Sequence, residues 1–159
     1  MNENTIENDP LAVPSGTVPE RKFPLLVGDK LYAMEIAEVE RKASKKDENV
    51  GLLKFTLKTL AESTSTDGDV IPPGFPVFHN WTYTPTGGLT PVMINQSGKE
   101  IMDACGIPAD TMVSALRDNL DLVKGKQVCV KLKVRKASGD FDATNEIARG
   151  GWLKAAPTA

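Results

Sequence analysis

Apolar and polar residues alternate most regularly near the end of the chain. Val128, Val130, Leu132 and Val134 share one parity, and Gln127, Cys129, Lys131, Lys133 and Arg135 share the other. A period of two turns the first set toward a core and the second toward solvent, which predicts a strand on a packed sheet. The same period runs from Gly51 to Leu60, with Leu53, Phe55 and Leu57 on one face and Lys54, Thr56 and Lys58 on the other. Between Lys30 and Ala43, Tyr32, Met34 and Ile36 alternate as in a strand, although the Ala and Glu content also suits a helix. A long strand is expected there because the following segments are strands. Lys45 to Asn49 reads as a charged hairpin loop. Phe75 to Thr84 reads as a further extended segment, closed by Pro85 and the Gly87-Gly88 turn, and Ala143 to Ala148 as a return strand before Gly150-Gly151, after a turn at Gly139-Asp140.

Two helical stretches are expected in the middle. Ser97 caps the first, with Glu100 completing a capping box, and it runs through Cys105 to Gly106. The second spans about Pro108 to Leu120 and places Met112, Ala115 and Leu116 on one side. Ser63 to Pro73 is a loop by composition. Residues 1–24, rich in Asn, Glu and Pro, have no periodic apolar face and are expected to form a flexible, disordered arm before a folded domain over residues 25–159.

With 159 residues and 40% apolar content, one domain with one core is expected. A net charge of -2 removes the global positive field of a non-specific nucleic-acid binder, so any charge signal is local. The polar, acidic start and the lack of a long apolar run point to a cytoplasmic protein with no membrane contact.

Catalysis finds little to work with. His79 is the only histidine, no cluster has metal-ligand spacing, and neither glycine pair sits in a phosphate-cradling motif. The expectation is a non-enzyme with no metal or cofactor. Asp67/Asp69 and Asp140/Asp142 lie in Gly-containing turns, where Asp serves its own backbone. Cys105 and Cys129 read as reduced core thiols.

Binding is better represented. From Lys124 to Lys154 there are eight basic residues (Lys124, Lys126, Lys131, Lys133, Arg135, Lys136, Arg149, Lys154) against three acids. Lys131, Lys133 and Arg135 share a strand face at about 7 Å spacing, close to that of single-strand phosphates; the plain alternative is a solvated face. Trp81 and Tyr83 project with His79 on one face of an extended segment, where rings can stack bases, and Trp152 sits among Arg149 and Lys154 as an aromatic platform. The alternative for each ring is the core.

The order of signals, ending in Leu122-Val123-Lys124-Gly125-Lys126-Gln127-Val128-Cys129-Val130-Lys131-Leu132-Lys133-Val134 and Asn145-Glu146-Ile147, resembles small bacteriophage OB-fold single-stranded DNA-binding proteins over about residues 28–154. The resemblance implies a mainly β fold, an OB-like five-stranded barrel with one or two short inserted helices, and a cleft lined by basic and aromatic side chains. It implies non-catalytic binding of single-stranded DNA in phage replication or recombination, in the bacterial host cytoplasm. Lys124, Lys126, Lys131, Lys133 and Arg135 would contact the backbone, and Trp81, Tyr83 and Trp152 the bases. Expected partners are single-stranded DNA and either a second copy of the chain or other phage replication proteins. The rival reading is a structural or protein-interaction module such as a virion component. Against the resemblance, the chain ends in Lys154-Ala-Ala-Pro-Thr-Ala159 without an acidic tail.

Overall fold

Alternation becomes sheet in the computed structural model, which describes residues 9–17, 24–136 and 143–155. The strands are β1 (Lys30–Ala43), β2 (Gly51–Thr59), β3 (Ser63–Thr64), β4 (Val70–Ile71), β5 (Pro76–Thr82), β6 (Gln127–Arg135) and β7 (Thr144–Lys154). Five of them make one antiparallel sheet in the order β5-β2-β1-β6-β7, and β3 and β4 form a small ribbon. The chain is mainly β, as its alternation predicts.

Because every neighbouring pair is antiparallel, the edge strands β5 and β7 run in the same direction. They share no ladder of hydrogen bonds. Their side chains nevertheless meet, with the rings of His79 and Trp152 centred 5.4 Å apart, so the sheet curls until its edges touch. The concave face carries the core: Met34 and Ile36 of β1, Leu53, Phe55 and Leu57 of β2, and Val128, Val130 and Leu132 of β6 are all fully buried. Each such side chain contributes about 1.5–3 kcal/mol relative to exposure.

Two helices cover part of that face, and they differ from the expected pair. Helix α1 spans Pro91–Ala104, with Thr90 as its N-cap accepting from the Met93 amide and proline at its first position. Ser97 is therefore inside the helix, where its hydroxyl donates back to Met93 and Ile94 carbonyls, and no capping box forms. Proline at position 91 suits a helix start. The second helix, α2, is only Ser114–Asp118, followed by a 3-10 turn at Leu120–Leu122. Gly98 lets α1 approach the sheet: a β-carbon there would lie 2.8 Å from Cγ1 of Val113 and 2.9 Å from Cζ2 of Trp81.

The return strand is longer than expected. It continues to Lys154 through Gly150-Gly151, which form an irregularity in the β6–β7 ladder rather than a hinge beyond it. Ile147 pairs with Leu132 and Trp152 with Val130, so five residues of β7 span two of β6. That odd excess reverses the parity of everything after it. Gly151 sits at the closest approach, where a β-carbon would be 2.7 Å from the Ala148 carbonyl oxygen and 2.9 Å from that of Lys131.

The loop at Lys45–Asn49 joins β1 and β2 as expected. Of the predicted arm, residues 9–17 and 24 are exposed, with a 3-10 turn at Ser15–Thr17; residues 1–8 and 18–23, and the turn at Gly139-Asp140, lie outside the described residues. Both cysteines are free thiols. No helix is long and apolar enough to cross a membrane among the described residues.

Candidate nucleic-acid interface

The place where β5 and β7 approach without pairing is a cleft of about 610 Å³, lined by Phe75, Phe78 and His79 on one bank and Asn145, Glu146 and Ile147 on the other. The inner parity of β5 (Val77, His79, Trp81) turns to the core, so the outer parity presents Phe78 and Asn80 to solvent. Phe78 is 50% exposed, unusually open for a phenylalanine, and Nζ of Lys54 from β2 stands 4.7 Å from its ring centre. A ring open on one face with a cation beside it suits an aromatic base and a phosphate together.

Behind the β7 bank, on the neighbouring strand, Lys133 and Arg135 are exposed on the outer face of β6, as strict alternation predicts. Each lies 3.5 Å from a carboxylate oxygen of Glu146, so one acid partners two of the three stripe cations. Lys131 is also exposed but sits farther along β6, opposite Leu31 of β1. Lys124 and Lys126 are exposed in the turn before β6, where Gly125 takes φ 82° and its amide donates to the Ile36 carbonyl at 2.7 Å. They lie about 30 Å along the strand from Arg135. Lys124 and Lys126 thus stand at one end of β6, Lys133 and Arg135 at the other, and Lys131 at its middle.

The predicted rings are placed differently. Trp81, expected to stack bases from an exposed row, is only 4% exposed, and its indole Nε1 donates to Ser97 Oγ at 3.0 Å. Burial of an indole with its N–H satisfied is the stable use of so large an apolar group, and here it ties α1 to the sheet. Trp152, also expected at the surface, is 8% exposed and packs edge-on to Phe55 at 6.0 Å. The parity reversal in β7 turns it inward. Tyr83 is half-buried, with Trp81 at 6.0 Å on one side and the Arg117 guanidinium at 5.9 Å. None of the three offers a free face to the cleft; Phe78 does. Its signal was the opposite parity of the segment that holds Trp81.

His79 lines the cleft, its ring packed against those of Phe55 and Trp152. Burial pulls its pKa down to about 4, against a smaller upward pull from Glu146. It is neutral at ordinary pH and adds no charge for phosphate.

No known family model matches the chain, and no curated protein is similar to it.

Proposed function

We propose that the chain is a non-catalytic single-stranded DNA-binding protein of phage replication or recombination, acting in the bacterial host cytoplasm. In this reading its sheet is an OB-like barrel whose closing seam is the cleft between β5 and β7. The strand order supports the barrel: a three-strand meander, a helix, then two strands that return beside β1, with parallel edges brought together. The observation that carries the binding reading is the exposed Phe78 ring with Lys54 over it, beside a cleft whose other bank holds Glu146, the ion-pair partner of Lys133 and Arg135. Bases would stack on Phe78 while phosphates meet Lys54, Lys133 and Arg135.

The test is titration of fluorescently labelled oligothymidine at two salt concentrations. The parent should bind saturably and weaken steeply with salt as counterions are released. Phe78→Ala should weaken binding roughly tenfold or more, because one stacked base is worth about 1–3 kcal/mol. Lys133→Gln with Arg135→Gln should lower the salt slope by up to about 0.7 per lost phosphate contact. Absence of saturable binding by the parent would leave the assembly-module reading in its place.

A further inference from the structure

The outer face of β2 and β5 carries two rows of side chains in register, and each row has its own chemistry. Along β2 stand Lys58, Thr56 and Lys54; opposite them on β5 stand Pro76, Phe78 and Asn80. Alternate residues of a strand lie about 6.6 Å apart, close to the separation of successive phosphates in an extended single strand. The β2 row can donate to an anion at each step, through two ammonium groups with a hydroxyl between them. The β5 row offers a proline ring, the half-exposed Phe78 ring and an amide. Asparagine is depleted in strands, and no hydrogen bond holds the Asn80 side chain among the described residues.

Carboxylates border these two rows on both sides. Glu35, Glu38 and Glu40 of β1 are in register with Lys58, Thr56 and Lys54, because the irregularity between Ile36 and Glu38 keeps all three on the outer face. Neither lysine forms an ion pair with them among the described residues. Glu40 pairs instead with Lys42, and Lys54 turns the other way, over the Phe78 ring. On the far bank of the cleft the first charge is Glu146, with Lys133 and Arg135 beyond it on β6. A polyanion therefore meets carboxylates on either side and cations in the strip between them. That strip runs along the strands.

We propose, resting on the single-strand reading above, that the bound strand lies lengthwise on this strip. Three successive phosphates meet Lys58, Thr56 and Lys54, while the bases turn over Pro76, Phe78 and Asn80, whose amide hydrogen-bonds a base edge. The substrate is then an extended single strand with unpaired bases, and three nucleotides fill the site. Oligothymidines of increasing length, titrated against the full chain, should gain affinity steeply until three nucleotides fill the strip and little beyond. Lys58→Gln should weaken binding roughly threefold or more at low salt and lower the salt slope by up to about 0.7, as Lys54→Gln does. Thr56→Val should weaken binding with the slope unchanged, since a hydroxyl releases no counterion. Lys124→Gln, in the turn before β6, should leave the slope unchanged. Far-UV circular dichroism checks that each variant is folded. If folded Lys58→Gln and Thr56→Val bind as the parent does while Phe78→Ala weakens binding, the lengthwise strip is wrong and the single-strand reading stands. A slope lowered as much by Lys124→Gln as by Lys58→Gln would also overturn the strip. No saturable binding by the parent would remove the reading and the strip together.

Discussion

Glu146 holds two cations of the candidate site at once, and this makes it the residue on which affinity turns. Its carboxylate lies 3.5 Å from both Lys133 and Arg135 on the rim of the cleft. A phosphate arriving there competes with a charge already in place. These are exposed pairs, each worth about 0.2–1 kcal/mol to folding, so Glu146→Gln should leave stability nearly unchanged. Binding of oligothymidine should tighten by about tenfold at low salt, as a repulsive charge leaves and two attractive ones are freed. The salt slope should steepen at the same time, by up to about 0.7 for each phosphate that gains a partner. Unchanged affinity in a folded Glu146→Gln protein would remove Lys133 and Arg135 from the site.

At the scale of elements, β7 decides which residues reach the core. Its irregularity lets Ile147 and Trp152, five positions apart, face the same side, and Gly151 is the residue that permits it. Gly151→Ala would press a methyl against two backbone carbonyls, at 2.7 and 2.9 Å. Backbone atoms yield less than side-chain tips, so the substitution should destabilise the fold by about 1–3 kcal/mol, read as a lower denaturant midpoint with the slope kept. The same irregularity marks where sequence reading stops. Strands β2, β5 and β6 follow a strict period of two and were legible from it, as were β1 up to its irregularity between Ile36 and Glu38 and the outward stripe of Lys131, Lys133 and Arg135. Trp152 was not, because periodicity carries no sign of an odd insertion earlier in its own strand. Trp81 shares the parity of Val77 and was read with its correct neighbours, but a single strand does not say which of its faces is covered. That depends on α1, whose Ile94 carbonyl and Ser97 hydroxyl receive the indole N–H from 13 and 16 residues away. Phe78 followed from the same alternation once that face was known.

Over the whole molecule, the curled sheet half-buries its only histidine where the two edges meet, and this ties global stability to pH. His79 has its pKa lowered to about 4 by burial between Phe55 and Trp152, with Glu146 pulling weakly the other way. In the unfolded chain the ring titrates near about 6.5. Between those two values the unfolded state takes up a proton that the folded state refuses, so acid favours unfolding. The stability present above about pH 6.5 should fall as pH drops toward about 4 and then level off, a loss on the order of 3 kcal/mol from this residue. Carboxylates titrate in the lower part of the same range, so the measurement is a comparison. Denaturant unfolding of the parent and of His79→Phe at about pH 7 and about pH 4 isolates the imidazole, because phenylalanine keeps a ring in the cleft and removes the proton. The parent should lose more stability than His79→Phe by that amount. Equal losses would mean that the ring is solvated in the folded protein, and that the β5 and β7 edges stand further apart than the 5.4 Å contact of His79 with Trp152 implies.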